Sequence, residues 1–94
     1  EGGVIDTVPL QAGGPLLEVN VEAPQGSLEV EVLDPDGRPR PGYGRTECRP
    51  ITGDAARAAV RFEERSGVDP SLPLSLRFHL RGGRLYRFGF REAP

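Results

Sequence analysis

Leu17, Val19 and Val21 alternate with Glu18, Asn20 and Glu22, and Leu28, Val30 and Val32 alternate with Glu29 and Glu31. A period of two turns one face of an extended strand toward a core and the other toward water. Residues 23–27 separate the two runs, and Pro24 and Gly26 within them predict a tight hairpin connection. The alternation recurs in Ala58, Val60 and Phe62, in Leu74, Leu76, Phe78 and Leu80, and in Tyr86, Phe88 and Phe90. Gly82 and Gly83 are expected to turn the chain between the last two runs. A shorter strand is expected over residues 4–10, at a sheet edge because of Pro9, and another around residues 43–45. Only residues 52–62 compete as a helix, and they support at most one turn after Gly53, capped by Asp54.

Six to eight short antiparallel strands, each apolar on one face, need a second layer to cover that face. The predicted fold is therefore all-β, an antiparallel two-sheet β-sandwich. It is jelly-roll-like in preference to immunoglobulin-like, because the chain has no tryptophan and only one cysteine.

Ninety-four residues suit a single domain spanning 1–94. The 13 glycines and 10 prolines are scattered between apolar runs, as turns between strands would be. The 12 basic residues, all arginine, face 14 acids, for a net charge of −2. Those arginines alternate with apolar residues, so they are expected to line the solvent face of a sheet. No nucleic-acid partner is expected. No run approaches the roughly 20 apolar residues of a membrane helix, and residues 1–10 lack the pattern of a signal peptide. No membrane partner is expected either. Cys48 stands alone and reads as an inert thiol.

The stretch most like a site is Asp-Pro-Asp-Gly-Arg-Pro-Arg-Pro-Gly-Tyr-Gly over residues 34–44. A calcium loop of the EF-hand type needs oxygen ligands at its fifth and twelfth positions, where Arg38 and Arg45 stand. The stretch reads instead as a turn: Pro35 presets φ, Asp36 bonds its own backbone and Gly37 supplies a positive φ. Tyr43, held between two glycines, is expected to show its ring to solvent. With Arg45 and Glu47 it forms the candidate carbohydrate-binding group, since sugar C–H faces stack on aromatic planes. His79 alternates out of phase with Phe78 and Leu80, so it is expected to face solvent among arginines. Glu29 and Glu31, with Glu18 and Glu22 across the expected hairpin, would lie on a solvated face without a cleft. Glycoside hydrolysis needs two carboxylates opposed across one. No catalytic residue, metal ligand or cofactor is expected, and the chain is not expected to be an enzyme.

The order of motifs resembles a β-sandwich module at the C-terminal end of large bacterial glycosidase-like proteins. Such proteins often carry a five-bladed propeller similar to glycoside hydrolase families 32 and 43. The resemblance rests on Asn20 after the first apolar strand, on the strand from Gly26 to Val30 and on the turn from Asp34 to Gly37. Pro41 to Tyr43, Thr52 to Asp54 and Leu85 to Phe88 complete the pattern. It departs at Phe62, where a tryptophan is expected. The family's catalytic acids lie in the propeller, so none carries over. The resemblance implies a piece of a longer extracellular or periplasmic protein, an accessory module partnered with the neighbouring catalytic domain of its polypeptide or with carbohydrate.

Overall fold

The computed structural model describes residues 2–63, 65 and 67–92. It is all-β, with five strands in one antiparallel sheet and no α-helix among the described residues. The strands are β1 (Gly2–Asp6), β2 (Leu16–Leu33), β3 (Ile51–Ala59), β4 (Ser75–Arg81) and β5 (Arg84–Arg91). Their order is β1-β4-β2-β3, with β5 also paired to β2. Five strands replace the expected six to eight, because the two runs over residues 17–32 form one continuous strand and no strand forms at residues 43–45.

The first correction concerns residues 23–27, which do not form a hairpin. They stay extended within the 18 residues of β2. Tight two-residue hairpin turns require a positive φ. Among the described residues only Gly37, Gly42, Gly53 and Gly82 have one, so Gly26 does not turn the chain. Gly82 and Gly83 do not make a hairpin of β4 and β5 either. The two strands run in line, β4 along residues 27–33 of β2 and β5 along residues 16–22. Four residues of β2, 23–26, thus face only two between β4 and β5, and the buried set changes parity across this segment. Leu17, Val19, Val21 and Ala23 are buried before it, Leu28, Val30 and Val32 after it.

This junction is where glycine is required. A Cβ on Gly26 would overlap the carbonyl of Arg81, and one on Gly83 would overlap the carbonyl of Glu22. A smaller irregularity between Asn20 and Val21 leaves Tyr86 unpaired with β2. Parity shifts by one, so Leu85 packs against the core and Tyr86, expected inside, is 54% exposed.

The core collects the inward residues of β2 and β4, with Leu28, Leu74, Leu76 and Phe78 fully enclosed. Burying a side chain of that size contributes about 1.5–3 kcal/mol. Cys48, Val60, Phe62 and Val68 close the core from outside the sheet. Residues 52–59 are strand throughout, with Gly53 at φ 81°, so the helical turn after Gly53 does not form. The strand expected at residues 43–45 is absent as well. A short 3-10 turn, Arg45–Glu47, takes its place. At the edge, β1 ends at Asp6, and pairing resumes beyond Pro9 as a single bridge from Leu10 to Leu74.

Candidate functional site

Residues 34–44 form a turn that folds back onto the end of β2. Gly37 donates its N–H to the Asp34 carbonyl, and Arg38 N–H donates to the Asp36 carboxylate. Gly37 adopts a φ of 90°, as expected. The return segment is stitched down by Arg40 N–H to the Val32 carbonyl and by Val32 N–H to the Tyr43 carbonyl. The Arg40 guanidinium, largely enclosed, donates to Asp34 at 2.6 Å and to the Pro73 carbonyl. Both acids and Arg40 are therefore spent on holding the turn.

Tyr43 is not displayed to solvent. Its ring meets Phe62 edge-on, with centroids 5.0 Å apart, and its hydroxyl donates to the Gly67 carbonyl at 2.6 Å. The Arg65 guanidinium lies 5.4 Å from the ring centre. Packing overrides the freedom of the flanking glycines, because the half-buried ring completes the core beside Phe62. Of the other two candidates, Glu47 accepts the Gly44 N–H at 2.8 Å and so caps its own turn. Arg45 points away to the sheet and donates to Glu29 at 2.7 Å. The fold thus gives the three residues separate local tasks.

A denser cluster lies on the sheet face beside them. Because residues 28–33 pair with β4 and not with the first half of β2, Glu29 stands opposite His79 and Glu31 opposite Arg77. His79 was expected in solvent, and Glu31 on a solvated face. Instead the His79 Nε2 lies 2.6 Å from a Glu31 oxygen, with both side chains at least 86% enclosed. Arg77 grips Asp6 of β1 through two bonds of 2.8 and 3.2 Å. That contact holds the Asp6 carboxyl below its usual value of 3.8. An ordered row of polar and charged side chains results, from Asp6 through Arg77, Glu31, His79 and Glu29 to Arg45. It borders an open depression lined by Gly3, Val4, Ser27, Glu29, Arg45 and His79, among others. Opposite charges on neighbouring strands each contribute modestly. Taken together they pin β1 and the 3-10 turn to the sheet.

The sequence signal for this row was present but depended on register. Glu29, Glu31, Arg77 and His79 all sit at outward positions of their strands, and only the β2–β4 pairing brings them together. The Glu18 and Glu22 expected beside Glu29 and Glu31 lie on the other half of β2, against β3 and β5.

Cys48 is buried, accepts the Val30 N–H at 3.2 Å and donates to the Arg49 carbonyl at 3.5 Å. Burial pushes its thiol above the ordinary value of 9.0, partly offset by the Val30 bond. Such a thiol is a poor nucleophile at neutral pH. Among the described residues no three His, Cys, Asp or Glu side chains converge as a metal site would require. No described helix is long and apolar enough to cross a membrane. No protein-family model, no curated protein and no solved structure matches this chain.

Proposed function

We propose that the chain is a non-catalytic accessory module, sandwich-like and jelly-roll-like in its layering, of a bacterial glycosidase-like protein acting outside the cytoplasm. Its task in this reading is to pack against the neighbouring catalytic domain of its own polypeptide and hold it in position. The motif order from Asn20 to Phe88 supports the family. The observation that carries the docking role is the edge strand β1 with the residues just past it. Val4 is 60% exposed, Ile5 47% and Val8 76%. Exposed apolar side chains on a free sheet edge favour association, and proteins that remain alone commonly blunt such edges with charge.

Amide exchange tests the docking. In the parent polypeptide, residues 2–8 should exchange at least about tenfold more slowly than in the 94-residue chain, as burial of an edge implies. Equal rates in both settings, or a parent with no propeller-type hydrolase domain, would end this reading.

Sugar contact around Tyr43, Arg45 and Glu47 is the second reading. In its favour, the Arg45 side chain is 55% exposed at the rim of the depression beside Glu29. Against it, the Tyr43 hydroxyl and ring edge are engaged. Titration with a panel of neutral glycans separates the two, and silence at millimolar sugar would remove the second.

A further inference from the structure

A different surface, on the half of β2 paired with β5, has the makings of a ligand site. β5 presents Arg87, Gly89 and Arg91 in succession on its outward face. Glu18 of β2 stands opposite Gly89, and Asn20 opposite Arg87. With no side chain at Gly89, the row has a gap between two guanidinium groups. A Cβ built on Gly89 would meet nothing within 4 Å, so neither sterics nor a positive φ demands glycine there. The gap floors a depression of about 410 Å³ lined by Glu18, Asn20, Arg57, Arg87, Phe88 and Arg91, among others. That space suits a sugar-sized molecule.

Charge makes the depression selective. Glu18 accepts from Arg91 at 2.7 Å and from Arg57 at 3.4 Å, so one carboxylate holds two guanidinium groups in place. Arg87 has no carboxylate partner among the described residues. Three positive charges therefore surround one negative charge in a site that also offers the Asn20 amide. Guanidinium groups bind planar carboxylates and tetrahedral oxyanions through paired N–H donors.

We propose that this depression binds a sugar-sized organic oxyanion, a sugar acid or a sulfated sugar, with Arg87 and Arg91 as its anion contacts. Glu18 is the residue that orients Arg91 and Arg57. The site depends on strand geometry alone and holds whether or not the chain adjoins a catalytic domain.

The test is a chemical-shift titration of the 15N-labelled chain with three probes: a galacturonic acid trisaccharide, a sulfated galactose disaccharide and neutral galactobiose. One or both acidic probes should shift the amides of Glu18, Asn20 and residues 87–91, and the neutral probe should not. Whichever acidic probe binds identifies the anion as carboxylate or sulfate. Arg87→Gln should weaken binding by about tenfold, the scale of one lost hydrogen bond to a charged group. Gly89→Val should abolish it while the melting temperature is kept, because the added side chain fills the gap and suits a strand. Binding should also weaken as salt is raised, since the site is open to solvent. Equal shifts with the neutral probe, shifts centred on residues 43–47, undiminished binding by folded Gly89→Val, or silence from both acidic probes at 10 mM (about the weak limit for such contacts) would each overturn the proposal.

Discussion

At the scale of single residues, environment assigns roles that residue type leaves open. His79 and Glu31 occupy outward positions in the alternation, yet each encloses the other. Replacing Glu31 with alanine removes the partner of a mostly enclosed imidazole and should cost about 1–3 kcal/mol in urea unfolding. Glu31→Gln, which keeps a bonding group, should cost less. Equal losses in the two variants would show that packing and not the bond matters. Cys48 makes a pH-dependent prediction. Its folded value lies above the unfolded 9.0, so the unfolded chain releases its proton first as pH rises. The neutral thiol's contribution is fully present below pH 9.0 and is lost as pH climbs through the folded value. Unfolding free energy should therefore fall more steeply between pH 8 and 10 in the parent than in Cys48→Ala (about one thiol's worth of linkage). Parallel curves would refute it.

Elements show where local signals mislead. Pro24-Gln25-Gly26 reads as a loop, and Gly82-Gly83 as a turn, because proline and glycine usually punctuate strands. Here they mark one place where β2 runs past the break between β4 and β5 and the backbones approach too closely for any Cβ. The prediction is a contrast among glycines. Gly83→Ala, whose Cβ would meet the Glu22 carbonyl, should destabilise by about 1–3 kcal/mol through overpacking. Gly89→Ala, which meets nothing, should be neutral or slightly stabilising, and chemical unfolding of both variants gives the comparison. β1 supplies a second case. The Asp6–Arg77 pair ties this edge strand to β4, and the Asp6 carboxyl, held below 3.8, supports it above that pH and releases it as pH falls through the lowered value. Asp6→Asn should speed amide exchange in β1 at neutral pH while leaving β2 unchanged. Uniform acceleration across the sheet would mean that β1 opens only with the whole fold.

For the whole molecule, the inward rows of β2 and β4 carry the stability. Phe78→Ala should cost about 3–5 kcal/mol, which a domain of this size can barely absorb, so extensive unfolding at room temperature is the expected result by circular dichroism. Val8→Lys acts oppositely. At 76% exposure it should leave unfolding unchanged while weakening attachment to a neighbouring domain, measurable as faster exchange over residues 2–8 in the parent polypeptide. A loss of stability in the 94-residue chain itself would place Val8 in this fold's own packing and remove it from the docking surface.

The alternation of side chains along the chain by itself determined the all-β class, the buried faces at Leu17–Val19–Val21, Leu28–Val30–Val32 and Leu74–Leu76–Phe78, and the turn after Leu33. Each depends on neighbours within a few positions, where a period of two and the φ preferences of proline and glycine act directly. Tertiary structure alone decided which strand lies beside which. That choice joined the halves of β2, set β4 and β5 in line, pulled Tyr43 into the core and Tyr86 out of it, and put Glu31 against His79. Register between strands far apart in sequence depends on how whole faces pack, and a shift of one residue exchanges the buried and exposed sets.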